Sequence, residues 1–242
     1  MSATVIRVGD EGQVRVCTID RPERRNALDQ EHYHALSDVL ATAGSDDNAH
    51  VVVITGTGSA FSAGQDLQEM AALAGRTQSG THNGFPRLLE QLEAFPKPLL
   101  AAVNGDAVGI GFTMLLHCDI VVVAAEARLR TPFSELGVPP EAGSSVLLPE
   151  MIGWQHAAEL LLTSRWIDGL EAVSIGLALR SCPKDEVLSE TIAIATRIAQ
   201  QPQWAVQTAK RLLLAGRGDR SREARRREDA AFAELFARGS DD

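Results

Sequence analysis

The pattern of hydrophobic and polar positions changes character near residue 145. Before it, "QVRVCTI" (13 to 19), "HVVVITG" (50 to 56), "PLLAAVNG" (98 to 105) and "DIVVVAA" (119 to 125) are short and rich in β-branched residues, several of them apolar throughout. Continuous apolar runs of that length predict strands covered on both faces, not strands with one wet side. Between the first two, "LDQEHYHALSDVLATA" (28 to 43) spaces Leu28, Tyr33, Leu36, Val39 and Leu40 at helical intervals, with Asp29 placed to cap the helix. Beyond residue 145 the period is helical: "GWQHAAELLLT", "IDGLEAVSIG", "EVLSETIAIATRIAQQ", "QWAVQTAKRLLLAG" and "SREARRREDAAFAELFARG" follow one another, punctuated by Pro or Gly. A βαβ-type layout followed by a helical region is expected, with residues 1–165 as the core and 166–242 as the helical part. Residues 74 to 84, "AGRTQSGTHNG", read as a mobile loop, and "REARRRE" reads as a solvated helix face.

Composition narrows the functional classes. With 242 residues and 45% hydrophobic positions the chain can bury a substantial core. A net charge of -9 argues against a general nucleic-acid or anionic-membrane surface, so an anion must be held by local arginines. Cys17, Cys118 and Cys182 are odd in number, widely spaced and without a C-x-x-C pair, which suggests neither disulfides nor a metal site. No apolar run reaches membrane-spanning length, and "MSATVIRVGDEG" lacks the layout of a secretory signal. The expectation is a cytoplasmic protein.

Two turns carry the candidate chemistry. "VVVITGTGSAFSAGQDL" runs from a buried strand through small residues into an acid-headed helix. "AAVNGDAVGIGFTMLLHCD" passes through Gly105, Gly109 and Gly111 into a helix starting near Ile110. Small side chains and helix N-termini expose backbone N–H groups. Neither stretch has the spacing of a phosphate loop or a dinucleotide fingerprint. Two such turns on neighbouring strands could supply two donors to one developing negative oxygen, or could be ordinary glycine turns.

"FSAGQDL", then "AAVNGDAVGIGFTMLLHCDIVVVA", then "TPFSELGVPPEAGSS" resemble, in this order, the crotonase superfamily of enoyl-CoA hydratases and isomerases. The resemblance implies a spiral core of ββα repeats and a C-terminal helical region that builds homotrimers or hexamers. It implies acyl-CoA thioesters as substrates, with coenzyme A as part of the substrate and no tightly bound cofactor. It places the oxyanion donors on the amides of Ala63 and Ile110. The two water-handling glutamates of hydratases fall on Thr113 and Phe133, which cannot titrate. "RTPFSELGVPPEAGSSVLLPEMIG" is instead similar to the peroxisomal type of Δ3,Δ2-enoyl-CoA isomerase, whose single catalytic glutamate falls on Glu141.

Glu135 is the weaker candidate for the base, and a solvated acid at a helix start is the bland reading of Glu141. The resemblance also sets Arg24 and Arg25 of "ERRNAL" beside the nucleotide end of the ligand. Gly64, Gln65, Asp66 and Leu67 then line the thioester end and pantetheine arm, with Gly109 and Phe133 nearby. Asp66 reads as a helix cap or loop-orienting acid, not a catalyst. Alternatives to the isomerase are a hydratase or other thioester lyase, and a non-catalytic acyl-CoA-binding protein.

Overall fold

A computed structural model describes residues 5–69, 84–217 and 219–238. Its larger sheet follows the order β1 (Ile6–Glu11), β2 (Val14–Ile19), β3 (Val51–Gly56), β5 (Leu99–Val103), β7 (Ile120–Ala124) and β10 (Arg180–Cys182). Within this sheet β1 and β2 pair antiparallel and the later neighbours are parallel, in registers such as Val52 opposite Leu99 and Leu100 opposite Ile120. The second sheet joins β4 (Ala60–Ser62), β6 (Asp106–Val108), β8 (Arg128–Arg130) and β9 (Ile167–Asp168).

The two sheets share one construction. β3 turns into β4, β5 into β6 and β7 into β8, so each repeat sends a long strand to the first sheet and a short one to the second. The result is the expected α/β spiral. β3 and β5 are buried along almost their whole length, which explains why their sequences are apolar at nearly every position. α1 (Gln30–Ser45) packs on α2 (Gly84–Ala94), and Tyr33, Leu36, Leu40, Leu88 and Leu92 are all within the core. The Asp29 carboxylate accepts from the His32 amide and caps α1 as expected, whereas Leu28 bridges to Gln65 instead of opening the helix.

α3 (Ile110–Thr113) follows β6 and continues as a 3-10 turn, Met114–His117. α4 (Ser144–Ile152), α5 (Trp154–Thr163) and α6 (Gly169–Ser174) come next, then α7 (Val187–Ala199), α8 (Gln203–Arg217) and α9 (Arg220–Arg238). The boundary expected at residue 165 does not separate the core from the helices. β9 and β10 lie beyond it, and α7 packs Val187, Thr191, Ile194 and Ala195 into the core beside β3, β5 and β7. A parallel sheet has two faces to cover, and the second cover comes late in the chain. Most of the loop expected at 74 to 84 lies outside the described residues; its last residue, Gly84, opens α2.

Candidate active site

The turns after β4 and β6 touch. Gly64 adopts φ +91, and a Cβ built on it would lie 2.7 Å from the Val108 carbonyl oxygen. Gly109, at φ +55, would bring its own Cβ to 4.0 Å from Gly64 Cα. A Cβ on Gly111 would stand 2.5 Å from the Ser62 carbonyl oxygen. Gly64 combines close approach with the left-handed region, whereas Gly109 needs glycine for its positive φ and Gly111 for the approach alone.

The amides of the two turns divide into committed and free. Ala63 N–H donates to the Arg25 carbonyl at 2.9 Å, and Gly64 N–H reaches Ser62 Oγ at 3.2 Å. Asp66 N–H donates to the Leu28 carbonyl at 2.8 Å. Successive amides of an extended chain face opposite ways, so the Gln65 N–H points away from that pairing. Among the described residues neither Gln65 N–H nor Ile110 N–H donates to a protein acceptor. The sequence reading that gave Ala63 a free amide is therefore corrected: the available pair is Gln65 and Ile110, and Ala63 secures the turn.

Glu141 lies before α4, not in it. Its carbonyl accepts from Ser144 N–H at 3.0 Å, and the next two residues, Ala142 (φ 61) and Gly143 (φ 75), are both left-handed. For Ala142 that conformation costs roughly 1–2 kcal/mol, so the surroundings must hold it. They do so from two sides. His117 Nε2 lies 2.9 Å from the Ala142 carbonyl oxygen, which can only accept, so the imidazole carries its proton on Nε2. Gly143 N–H donates to Glu228 Oε2 at 2.7 Å, and Ser145 N–H donates to Glu228 Oε1 at 2.9 Å.

Glu141 carries the largest upward shift among the described carboxyls; Glu69 is raised too, by burial first and then by the charges of Asp29 and Asp66. Protein atoms crowd the Glu141 carboxyl, although part of its surface stays open. That burial first, and the charge of Glu228 second, push its pKa up to about 7. Burial pushes His117 down to about 4, so it is a neutral donor near pH 7. Tyr33 is fully buried, and among the described residues its hydroxyl has no partner. Burial, and then the nearby charges of Glu141, Glu69 and Asp29, hold it well above the usual phenol range.

The other sequence candidates differ in burial and in partners. Glu135 is exposed and ion-paired with Arg130, which is also 4.9 Å from the Trp166 ring centroid. Thr113 and Phe133 are buried, and the Thr113 hydroxyl has no partner among the described residues. Asp66 accepts from Gln68 N–H and Glu69 N–H and pairs with Arg21 at 2.9 Å. Burial opposes its charge, but these amides and the guanidinium outweigh it and hold the pKa below the carboxylate norm. Leu67, beside it, is 55% exposed.

Arg24 and Arg25 are both exposed, but they differ. Arg25 pairs with Asp106, whereas among the described residues the Arg24 side chain meets only the neutral amide of Gln68, at 2.8 Å. Asn26 ties the same turn down, accepting from Arg21 N–H and donating to the carbonyls of Thr57 and Ala60.

Sequence reasoning missed His117, Tyr33 and Glu228. Glu228 is the last residue of "REARRRE", the run expected to be solvated. Ser221, Ala224 and Glu228 are in fact buried and Arg225 is half-buried, at positions i, i+3, i+7 and i+4 of α9. The helical period was there to be read, but in polar residues. The exposed remainder, Arg222, Glu223, Arg226 and Arg227, does form a solvated face.

A spiral of paired long and short strands, two free amides on touching turns and the strongly raised carboxyl of Glu141 are joined here in one chain. The profile of the Enoyl-CoA hydratase/isomerase family matches residues 9–241, and the protein belongs to that family. It is 37% identical over 209 residues to a putative enoyl-CoA hydratase of Thermus thermophilus, covering 85% of this chain and 82% of the relative. Enoyl-CoA delta isomerase 2 of Rattus norvegicus is 35% identical over 211 residues, which are 86% of this chain and 54% of the longer rat protein. A crystal structure of an enoyl-CoA hydratase/isomerase from Pseudoalteromonas atlantica superposes with TM-score 0.90 at 38% identity, covering 96% of this chain and 92% of the other. Hydratase names are commoner among the relatives than isomerase names.

Proposed function

We propose that this member of an acyl-CoA-processing family is a Δ3,Δ2-enoyl-CoA isomerase with Glu141 as its only acid/base group. The observation that carries the reading is the carboxyl of Glu141, raised to about 7, while Thr113 and Phe133, where the resemblance puts the two glutamates of a hydratase, are buried and cannot titrate. The thioester oxygen accepts from the Gln65 and Ile110 amides, which lowers the cost of forming an enolate. Glu141 takes a proton from C2, the C3–C4 double bond moves to C2–C3 through a dienolate, and Glu141 returns the proton at C4. Atoms balance without water or a redox partner. A base with a pKa near working pH suits both halves of such a shuttle.

For the nucleotide end of coenzyme A, Arg24 is the better phosphate ligand, because Arg25 already serves Asp106. The chain assembles as a homotrimer or a dimer of trimers. In support, α8 leaves Trp204, Leu212 and Leu213 exposed, and an apolar groove of about 400 Å³ between α7 and α8 shares no lining residue with the Glu141 site.

Hydration is the second reading, favoured by the names of the relatives. Incubation with 3-enoyl-CoA and 2-enoyl-CoA in parallel separates the two. Double-bond migration without water addition supports the isomerase, water addition at a comparable rate replaces it with the hydratase, and binding without turnover leaves a non-catalytic acyl-CoA-binding protein.

A further inference from the structure

We propose that Glu228 of α9 is a positioning residue for Glu141: its carboxylate holds the turn that carries the catalytic acid, so that the reactive conformation of the site depends on the docked C-terminal helix. This rests on the reading of Glu141 as the base.

α4 begins badly on its own. Its N-cap is Gly143, which has no side chain to satisfy the amides that every helix start leaves unpaired. Glu228 supplies that cap from 85 positions away. It accepts from Gly143 N–H, from Ser145 N–H and, at 2.5 Å, from Ser145 Oγ–H. Only 5% of Glu228 is exposed, so water does not compete for those contacts. On the opposite side of the same peptide pair His117 donates to Ala142, and the left-handed Ala142–Gly143 backbone is fixed between the two.

α9 is itself firmly seated. Ser221 and Arg225 both bind Glu93 of α2, at 2.7 and 2.8 Å, and Arg220 pairs with Glu150 of α4 at 2.6 Å. A Cβ on Gly143 would lie 2.9 Å from Ser221 Oγ, so the helix rests directly on the turn. The contact therefore joins α9, α4 and the turn of Glu141 into one unit.

The charged and titratable groups around this unit are Arg220, Arg225 and Glu228 of α9, Glu150 of α4, Glu93 of α2, Arg217 of α8, His117 of the 3-10 turn, and Tyr33 of α1 with its neighbours Asp29 and Glu69. Of these, Glu228 is the one whose charge raises Glu141. Glu228→Gln keeps the size of the side chain but removes the charge and sets an NH2 against a backbone N–H.

The test is isomerase kinetics from pH 5 to 9 on Glu228→Gln and Glu228→Asp. Glu228→Gln is expected to lose tenfold or more in kcat, by the usual sensitivity of reacting geometry to small displacements, with KM within about threefold. Its acid-side midpoint is expected to move to lower pH. Glu228→Asp, which keeps the charge but is too short, should lose rate while its midpoint stays near that of the wild type. A merely structural brace would lower rate or stability without moving the midpoint only in the Gln variant. Amide hydrogen exchange over residues 141–147, measured without ligand, should accelerate in both variants whether or not Glu141 is the base. Failure of the base reading would show as an active Glu141→Gln variant. Unchanged exchange, or a wild-type rate and midpoint in Glu228→Gln, would overturn the role of Glu228. Should Glu228→Gln fail to fold, exchange and kcat of Glu228→Asp decide alone, and wild-type values there overturn it too.

Discussion

The two parts of the site are built on opposite plans. The amide turns at 62–66 and 108–111 are held by glycines that fit one another and by nearby strands, and their key contacts are backbone to backbone. The turn at 141–143 is held by side chains from far along the chain, His117 on one side and Glu228 on the other. A backbone-built turn tolerates surface change and fails only when a Cβ intrudes. A turn held by side chains can be loosened one hydrogen bond at a time. On the proposed mechanism, charge stabilisation sits on the rigid half of the site and proton transfer on the adjustable half.

The strongest way to test that division is Glu141→Gln. Its shape is retained, so the fold and acyl-CoA affinity should persist while kcat for isomerisation falls by about 10²–10⁴. Steady-state kinetics with parallel ligand-binding measurements check this, and a variant that keeps its rate removes Glu141 from the mechanism.

The rigid half is tested by Gly64→Ala, which must place a Cβ 2.7 Å from the Val108 oxygen at φ +91. Loss of about 10² in kcat is expected as the Gln65 amide is displaced, together with a stability loss of about 2–4 kcal/mol in denaturant titration. An intact rate would mean that the two turns need not touch.

Two pH effects follow from the raised Glu141. The base must be ionised, so kcat/KM should rise with pH through a midpoint near 7. Stability runs the other way. A carboxyl whose pKa rises from 4.5 unfolded to about 7 folded binds its proton more tightly in the folded state. Its contribution is full below the unfolded value and is lost as pH climbs from about 4.5 through 7. Glu141→Gln should therefore be more stable than the wild type at pH 8, by on the order of 1–3 kcal/mol, and should lose that advantage by pH 4. Thermal melts of both proteins at the two pH values decide the matter, and a constant difference would show that Glu141 ionises as if in water.

The smallest effect belongs to the exposed acid. Glu135 is itself exposed and reaches the largely buried Arg130 from the solvent side, where water screens its charge and such pairs contribute about 0–1 kcal/mol. Glu135→Gln should keep kcat within about twofold. A large loss would move the base from one end of the loop to the other.

The sequence by itself determined a sheet covered on both faces, because the apolar runs at 51–56, 99–103 and 120–124 have no other stable place; that the strands wind as a spiral was implied by the family resemblance of its three motifs. It also located the amide turns, since glycines and small residues between a buried strand and a helix start mark a close backbone approach, and it preferred Glu141 to Glu135. Which amide is free was beyond it: Ala63 and Gln65 look alike until the pairing with Arg25 and Leu28 assigns each N–H a direction. Beyond it too was the last helix, where the buried stripe Ser221, Ala224, Arg225 and Glu228 is mostly polar and gives no hydrophobic period. A polar residue is buried only where partners already wait for it, and those partners, Glu93, Gly143 and Ser145, come together only when the chain has folded.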